Sequence, residues 1–222
     1  NLAKADKVHP CPKTVTYGHW KFHNDDDFEI KGGTFKGSFA RSCNTAFINE
    51  RTALGSDDLV DAAATLGMGV DHDLGFPAYF GQVPPPKSDT EAAADLIGQG
   101  GILASPIAMA TVMASIQSGT TVVPRLIKSV KVSVPEDAPP LEAGEAAALR
   151  QMLRGVVTSG SGSLLADVPG PPVIAKTGTA EFEKDGKVLT HAWMIAAQGD
   201  LAVAVFVDEG QSGSGTAGPI LE

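Results

Sequence analysis

The apolar positions of the chain change period along its length, and the changes predict its elements. Over residues 1–33 they recur weakly, in short strand-like pieces such as Thr14-Val15-Thr16-Tyr17 between the turn signals His9-Pro10-Cys11-Pro12 and Asn24-Asp25-Asp26-Asp27. From 34 to 54 the spacing becomes helical, anchored by Phe35, Phe39, Phe47 and Leu54. The polar triplet Ser42-Cys43-Asn44 divides that run into two helices, and such a junction points polar side chains into a cleft. Ser56-Asp57-Asp58 caps a further helix over 59–66 that stops at Gly67. Residues 69–86 are rich in Pro, Gly and aromatics and have no period, which predicts a long surface loop. Its Phe76, Tyr79 and Phe80 either line a rim of the cleft or pack the loop down. Ser105-Pro106 opens a buried, alanine-rich helix running to Gly119, with Met109 and Met113 as core fillers.

Beyond it, residues 129–134 alternate as a short strand, 135–140 form a linker, and 143–157 make an amphipathic helix with Leu149, Met152, Leu153 and Val156 inward. Gly160-Ser161-Gly162-Ser163 reads as a flexible loop. The last quarter has the period of strands: 173–182, 189–198 and 201–207 form a meander through turns at Lys184-Asp185-Gly186-Lys187 and Gly199-Asp200. Every position of 201–207 is apolar, which predicts a strand covered on both faces and hence helices on both sides of the sheet. Residues 210–215 read as a mobile loop and 217–222 as the first turn of a helix.

Composition narrows the class. With 222 residues, 43% of them hydrophobic, this is one globular domain with material for a core. A formal net charge of −9 without a Lys/Arg cluster argues against nucleic acid. No apolar run approaches the ~18 residues of a membrane span, and the first residues lack the pattern of a signal peptide. The run Asp25–Asp27 lacks the spaced carboxylates of a calcium loop and reads as a solvated turn; no metal and no cofactor are expected. Cys11 and Cys43 have no metal spacing. Two readings stay open: they pair with each other, or Cys43 is a small buried residue while Cys11 is free or paired elsewhere.

The candidate chemistry centres on Lys176-Thr177-Gly178-Thr179, which follows Val173-Ile174-Ala175 and so lies in a strand. Alternation sends Lys176 and Gly178 to one face and Thr177 and Thr179 to the other, but on an edge strand backbone N–H groups and side-chain tips can converge on one ligand. Lysine supplies a fixed charge, threonine supplies O–H donors, and Gly178 lets a group approach the backbone. Together they suit a carboxylate beside a carbonyl that becomes an oxyanion. By itself Lys-Thr-Gly is a common tripeptide of ordinary strands.

Ser42-Cys43-Asn44 upstream changes its weight, because Ser-x-Asn followed by Lys-Thr-Gly is two thirds of the signature of penicillin-binding proteins and serine β-lactamases. The longer words Ser42-Cys43-Asn44-Thr45-Ala46-Phe47, Ile97-Gly98-Gln99-Gly100, Ser105-Pro106-Ile107-Ala108-Met109-Ala110 and Lys176-Thr177-Gly178-Thr179-Ala180-Glu181 occur in that family's order. Over nearly its whole length the chain resembles the transpeptidase domain of a class B penicillin-binding protein of actinobacterial type. The resemblance implies an α/β (α+β) fold of the β-lactamase/transpeptidase type, an antiparallel sheet covered by helices on both faces. It implies acyl transfer through a serine ester on a D-alanyl-D-alanine stem peptide, or on a β-lactam that mimics it. Ser42 and Lys176 would be the catalytic residues, relaying a proton toward the leaving amine. Asn44 would meet the substrate's peptide group, Thr177 and Thr179 its terminal carboxylate, and the Thr179 N–H would be an oxyanion donor beside Gly178. It further implies an extracytoplasmic setting, a parent anchored in the membrane, and a glycosyltransferase partner.

One part of the signature is missing, since no Ser in the chain has Lys three positions on. Gly33-Thr34-Phe35-Lys36 has the shape but lies too close to Ser42. The expectation is that residues 1–222 are the C-terminal portion of the domain, with the nucleophile helix and first strands upstream. Competing readings are a serine β-lactamase, a D,D-carboxypeptidase and a non-catalytic penicillin-binding sensor. The commonest β-lactamases place Asn four residues after a water-activating Glu, whereas Glu50, Glu91, Glu136, Glu142 and Glu145 are followed at that distance by Leu54, Asp95, Pro140, Ala146 and Leu149.

Overall fold

A computed structural model describes residues 5–74, 77–132 and 139–222. Its N-terminal part is a small antiparallel hairpin, β1 (Thr14–Tyr17) and β2 (Trp20–His23), followed by a single turn over Asp25–Asp27 whose carboxylates face solvent. Helix α1 (Phe35–Ala40) is capped by the Thr34 hydroxyl, which accepts the Gly37 N–H at 3.3 Å, and α2 (Asn44–Ile48) begins directly after Cys43. The predicted break therefore lies at Ser42-Cys43-Asn44. Helix α3 (Asp58–Thr65) matches the expected segment. Helix α4 (Asp89–Asp95) was not expected, although its start is written in the chain: the Ser88 hydroxyl accepts the Glu91 N–H at 3.1 Å, and the Glu91 carboxylate accepts the Lys87 N–H at 2.7 Å.

The long loop is packed down rather than standing over a cleft. Phe80 is only 3% exposed against Leu74 and Ala108, and Gln82 pairs with Leu103; Tyr79 faces solvent, and Phe76 lies outside the described residues. Helix α5 (Pro106–Ser118) starts at the Ser105 cap with Pro106 in its first turn and ends at Gly119, whose φ of 81° is the left-handed stop glycine supplies. The strand expected over 129–134 does not form in 129–132; its remaining two residues, and 135–138 of the expected linker, lie outside the described residues. Helix α6 (Ala143–Ser159) buries Leu153, Val156 and Val157.

The centre is an antiparallel sheet with its strands in sequence order: β3 (Ile174–Lys184), β4 (Lys187–Gln198) and β5 (Leu201–Val207). Strand alternation gives each face its own core. Ile174, Ile195 and Ala197 pack on Val112, Met113 and Ile116 of α5 and Leu153 of α6. Ala175, Ala192, Met194 and Ala196 pack on Val157, Leu165 and Ala217. Ala217 ends a π-helical turn (Gly213–Ala217) that leads into α7 (Gly218–Leu221). Helices thus cover both faces, as the apolar β5 predicts. Yet β5 itself is not buried: Leu201 is 60% exposed and Phe206 37%. It contacts both cores, through Ala202 and Ala204 on one side and Val205 and Val207 on the other, but its outer edge pairs with no strand among the described residues.

Candidate active site

β3 is an edge strand, so the outer edge of Lys176-Thr177-Gly178-Thr179 has no strand partner among the described residues. Lys176 reaches across it: its ammonium donates to the Ser42 hydroxyl and, at 2.8 Å, to the Thr177 carbonyl, and it stands 5.8 Å over the Phe39 ring. Residues 134 positions apart in the chain are thereby in contact. Although Lys176 as a residue is half-buried, its ammonium is enclosed, and burial lowers its pKa from 10.5 to about 8. None of the described ion pairs involves it.

Ser42 is presented by the end of α1. The Cys43 N–H returns to the Ser38 carbonyl at 2.9 Å and the Ser42 N–H to Phe39 at 3.0 Å, with Ser42 at φ 54°. This is the left-handed helix stop that glycine most often occupies, so serine holds it at a cost of ~1–2 kcal/mol. What opposes that strain lies on the other side of the turn. Cys43 forms a disulfide with Cys11, Cα–Cα 6.2 Å, so the two cysteines pair with each other and Cys11 is not free. Asn24 is wholly buried beside it. Its carbonyl oxygen accepts the Thr45 N–H at 3.1 Å, and its amide donates to the Pro12 and Phe28 carbonyls at 2.9 and 2.8 Å. Asn44 is held by β2, its amide donating to the His23 carbonyl at 3.1 Å, which leaves the side-chain oxygen and a second N–H for a ligand.

Both threonine hydroxyls have protein partners. Thr179 is exposed and its oxygen accepts the Gly213 N–H at 3.3 Å; the Thr177 hydroxyl lies 2.5 Å from that of Ser161. A Cβ on Gly178 would meet only the Trp193 Cβ, at 3.3 Å; the close approach on this strand is made by Gly213. A Cβ on Gly213 would stand 2.7–2.8 Å from the Gly178 backbone oxygen and nitrogen, so the segment after β5 lies flat on the back of the strand. That segment, expected to be mobile, is tied down, with the Gly210 N–H on Thr190 at 2.9 Å and the Gln211 N–H on Thr216 at 3.0 Å. The same holds for 160–163, where Gly160 and Gly162 both donate to the Val156 carbonyl and Ser161 donates its N–H to Ala40. Asn24, Ser161 and Gly213 escaped the sequence reading because each acts through a partner far away in the chain. Among the described residues, no group of three or more His, Cys, Asp or Glu is placed to hold a metal.

The family description "Penicillin binding protein transpeptidase domain" matches residues 1–222. The chain is similar to the peptidoglycan D,D-transpeptidase PbpA of Mycolicibacterium smegmatis, 32% identical over 195 residues, covering 78% of this chain and 38% of that protein. Among solved structures it is similar to the D,D-transpeptidase domain of a peptidoglycan glycosyltransferase from Eggerthella lenta. The TM-score there is 0.82 at 25% identity, over 99% of this chain and 60% of that one. A penicillin-binding protein 3 of Mycobacterium tuberculosis, solved with aztreonam, shares the fold at a TM-score of 0.77 and 22% identity, over 99% of this chain and 57% of that one.

Proposed function

The chain belongs to the penicillin-binding protein transpeptidase family, class B, and on that premise we propose that its protein cross-links peptidoglycan as a D,D-transpeptidase. The observation that carries the reading is the enclosed, carboxylate-free ammonium of Lys176 on the Ser42 hydroxyl. In this reading a serine supplied from outside residues 1–222 attacks the carbonyl of a D-alanyl-D-alanine stem peptide. Ser42 passes a proton toward the leaving amine while Lys176 holds its oxygen in place. Asn44 meets the peptide group with its free amide atoms. The Thr177 and Thr179 hydroxyls hold the terminal carboxylate, and the Thr179 N–H donates to the oxyanion, one such donor being worth roughly 10²–10³ in rate. The amine of a second stem peptide then resolves the ester.

The glutamates favour this over a β-lactamase. Glu50 lies 3.1 Å from the His9 Nε2 and Glu91 accepts the Lys87 N–H at 2.7 Å, while Glu142 and Glu145 stand at the start of α6; Glu136 lies outside the described residues. Without a glutamate placed as a base among the described residues, water attacks the ester slowly, whereas a bound amine attacks by proximity. A disulfide beside the site supports an extracytoplasmic setting. Among the described residues no helix is long and apolar enough to cross a membrane; a membrane anchor and a glycosyltransferase partner are proposed for the parent protein. Nitrocefin tests the reading: one equivalent of long-lived adduct on the full-length protein is expected, and several turnovers per second would assign a β-lactamase instead.

A further inference from the structure

From the loop between α6 and β3 we infer that Ser161 is a positioning residue that makes Thr177 a committed hydrogen-bond donor toward a ligand's carboxylate. The inference rests on the proposed role of Thr177 and adds what sets the direction of its proton. A threonine hydroxyl has one hydrogen and two lone pairs, so it donates outward only if nothing within the protein takes that hydrogen. At Thr179 the question is settled by chemistry, because its oxygen accepts from the Gly213 N–H, a group that can only donate. At Thr177 the partner is another hydroxyl, Ser161 at 2.5 Å, and either direction satisfies the pair in isolation. A carboxylate at the strand edge breaks the tie. It accepts only, so Thr177 donates to it and Ser161 donates to Thr177, each bond polarising the next.

The backbone around Ser161 is built to keep it there. Its own N–H donates to the carbonyl of Ala40, the last residue of α1, at 3.2 Å. A Cβ on the preceding Gly160 would stand 1.9 Å from that same carbonyl oxygen, so only glycine lets the loop come this close. Two residues beyond Ala40 is Ser42, which the Lys176 ammonium holds. Ser161 thus spans the element that presents Ser42 and the strand that presents Thr177, and it fixes their separation as well as the direction of the hydroxyl.

The test uses the full-length protein and two probes, benzylpenicillin and its methyl ester, which differ in carrying the carboxylate. Wild type should be acylated faster by the acid. Ser161→Ala should lower the acid-to-ester ratio of acylation rate constants by about threefold to tenfold, the range for one neutral hydrogen bond. Ser161→Thr, which keeps the hydroxyl, should restore it. Thr177→Val should lower the ratio at least as far. Equal losses for acid and ester in Ser161→Ala, with Thr177→Val still selective in its effect, would overturn the inference alone, since a merely structural loop slows both probes alike. An unchanged ratio in Thr177→Val would overturn the carboxylate role of Thr177 and this inference with it. If Ser161→Ala does not accumulate, Ser161→Cys, a weak donor of similar size, carries the same expectation.

Discussion

Lys176 is charged at neutral pH but only just held so, because burial brings its pKa to about 8. If the ammonium is what keeps the Ser42 oxygen in place, acylation should be level below that pH and fall as pH rises through it, to about one-tenth of the plateau near pH 9. Lys176→Arg, whose guanidinium stays protonated, should remove this basic limb, and a pH–rate profile of the two proteins checks it. Stability has the opposite slope. The unfolded chain binds the lysine proton up to 10.5 and the folded one only to about 8, so stability rises between those values and the cost of the buried charge is full below them. Lys176→Met should therefore flatten stability against pH over that window, as followed by urea denaturation. Ser42 shows strain of another kind: a serine in a glycine conformation, held from three sides by Lys176, the α1 carbonyls and the Cys43 disulfide.

Elements reach the site by close backbone approaches, and these set what each glycine tolerates. Gly160→Ala places a methyl in the Ala40 carbonyl, and it should cost roughly 1–3 kcal/mol while loosening α1 from α6. Gly186→Asn is the control. It sits at φ 72° in the β3–β4 turn with open space around its Cβ, a conformation asparagine accepts, so its melting temperature should stay close to wild type. The Cys11–Cys43 disulfide closes a loop across 32 positions and ties the N-terminal segment to the start of α2. Its reduction should lower stability by about 2–4 kcal/mol, measured by unfolding with and without reductant. Helices α1, α5 and α6 were legible from spacing and caps. Helix α4 carried an equally clear start at Ser88 and Glu91, but its short alanine run has little periodicity to draw the eye.

At the scale of the molecule, the sheet and its helices support Lys176, Thr177 and Thr179 on an open strand edge, while Ser42 and Asn44 approach from α1 and α2. No Ser of the sequence has Lys three positions on, and the proposed attacking serine lies outside residues 1–222. Peptide mapping of the full-length protein after labelling with a fluorescent penicillin should find the adduct on a serine outside residues 1–222. An adduct within them, on Ser42 or any other residue, would overturn the proposal that the attacking serine lies outside this segment.

Helices α1, α2, α3, α5 and α6, the three-stranded meander and the six motif residues follow from local facts: period, caps, two-residue turns and short words of fixed spacing. Each of these is carried by neighbours in the chain. Whether Cys11 meets Cys43, which hydroxyl faces Thr177, why Gly213 must be small and how deeply β5 is covered depend on groups from different elements meeting in space. No spacing rule encodes such meetings. The same is true of the lowered pKa of Lys176: the residue type is in the sequence, but the enclosure that changes its chemistry exists only once α1 and β3 have come together.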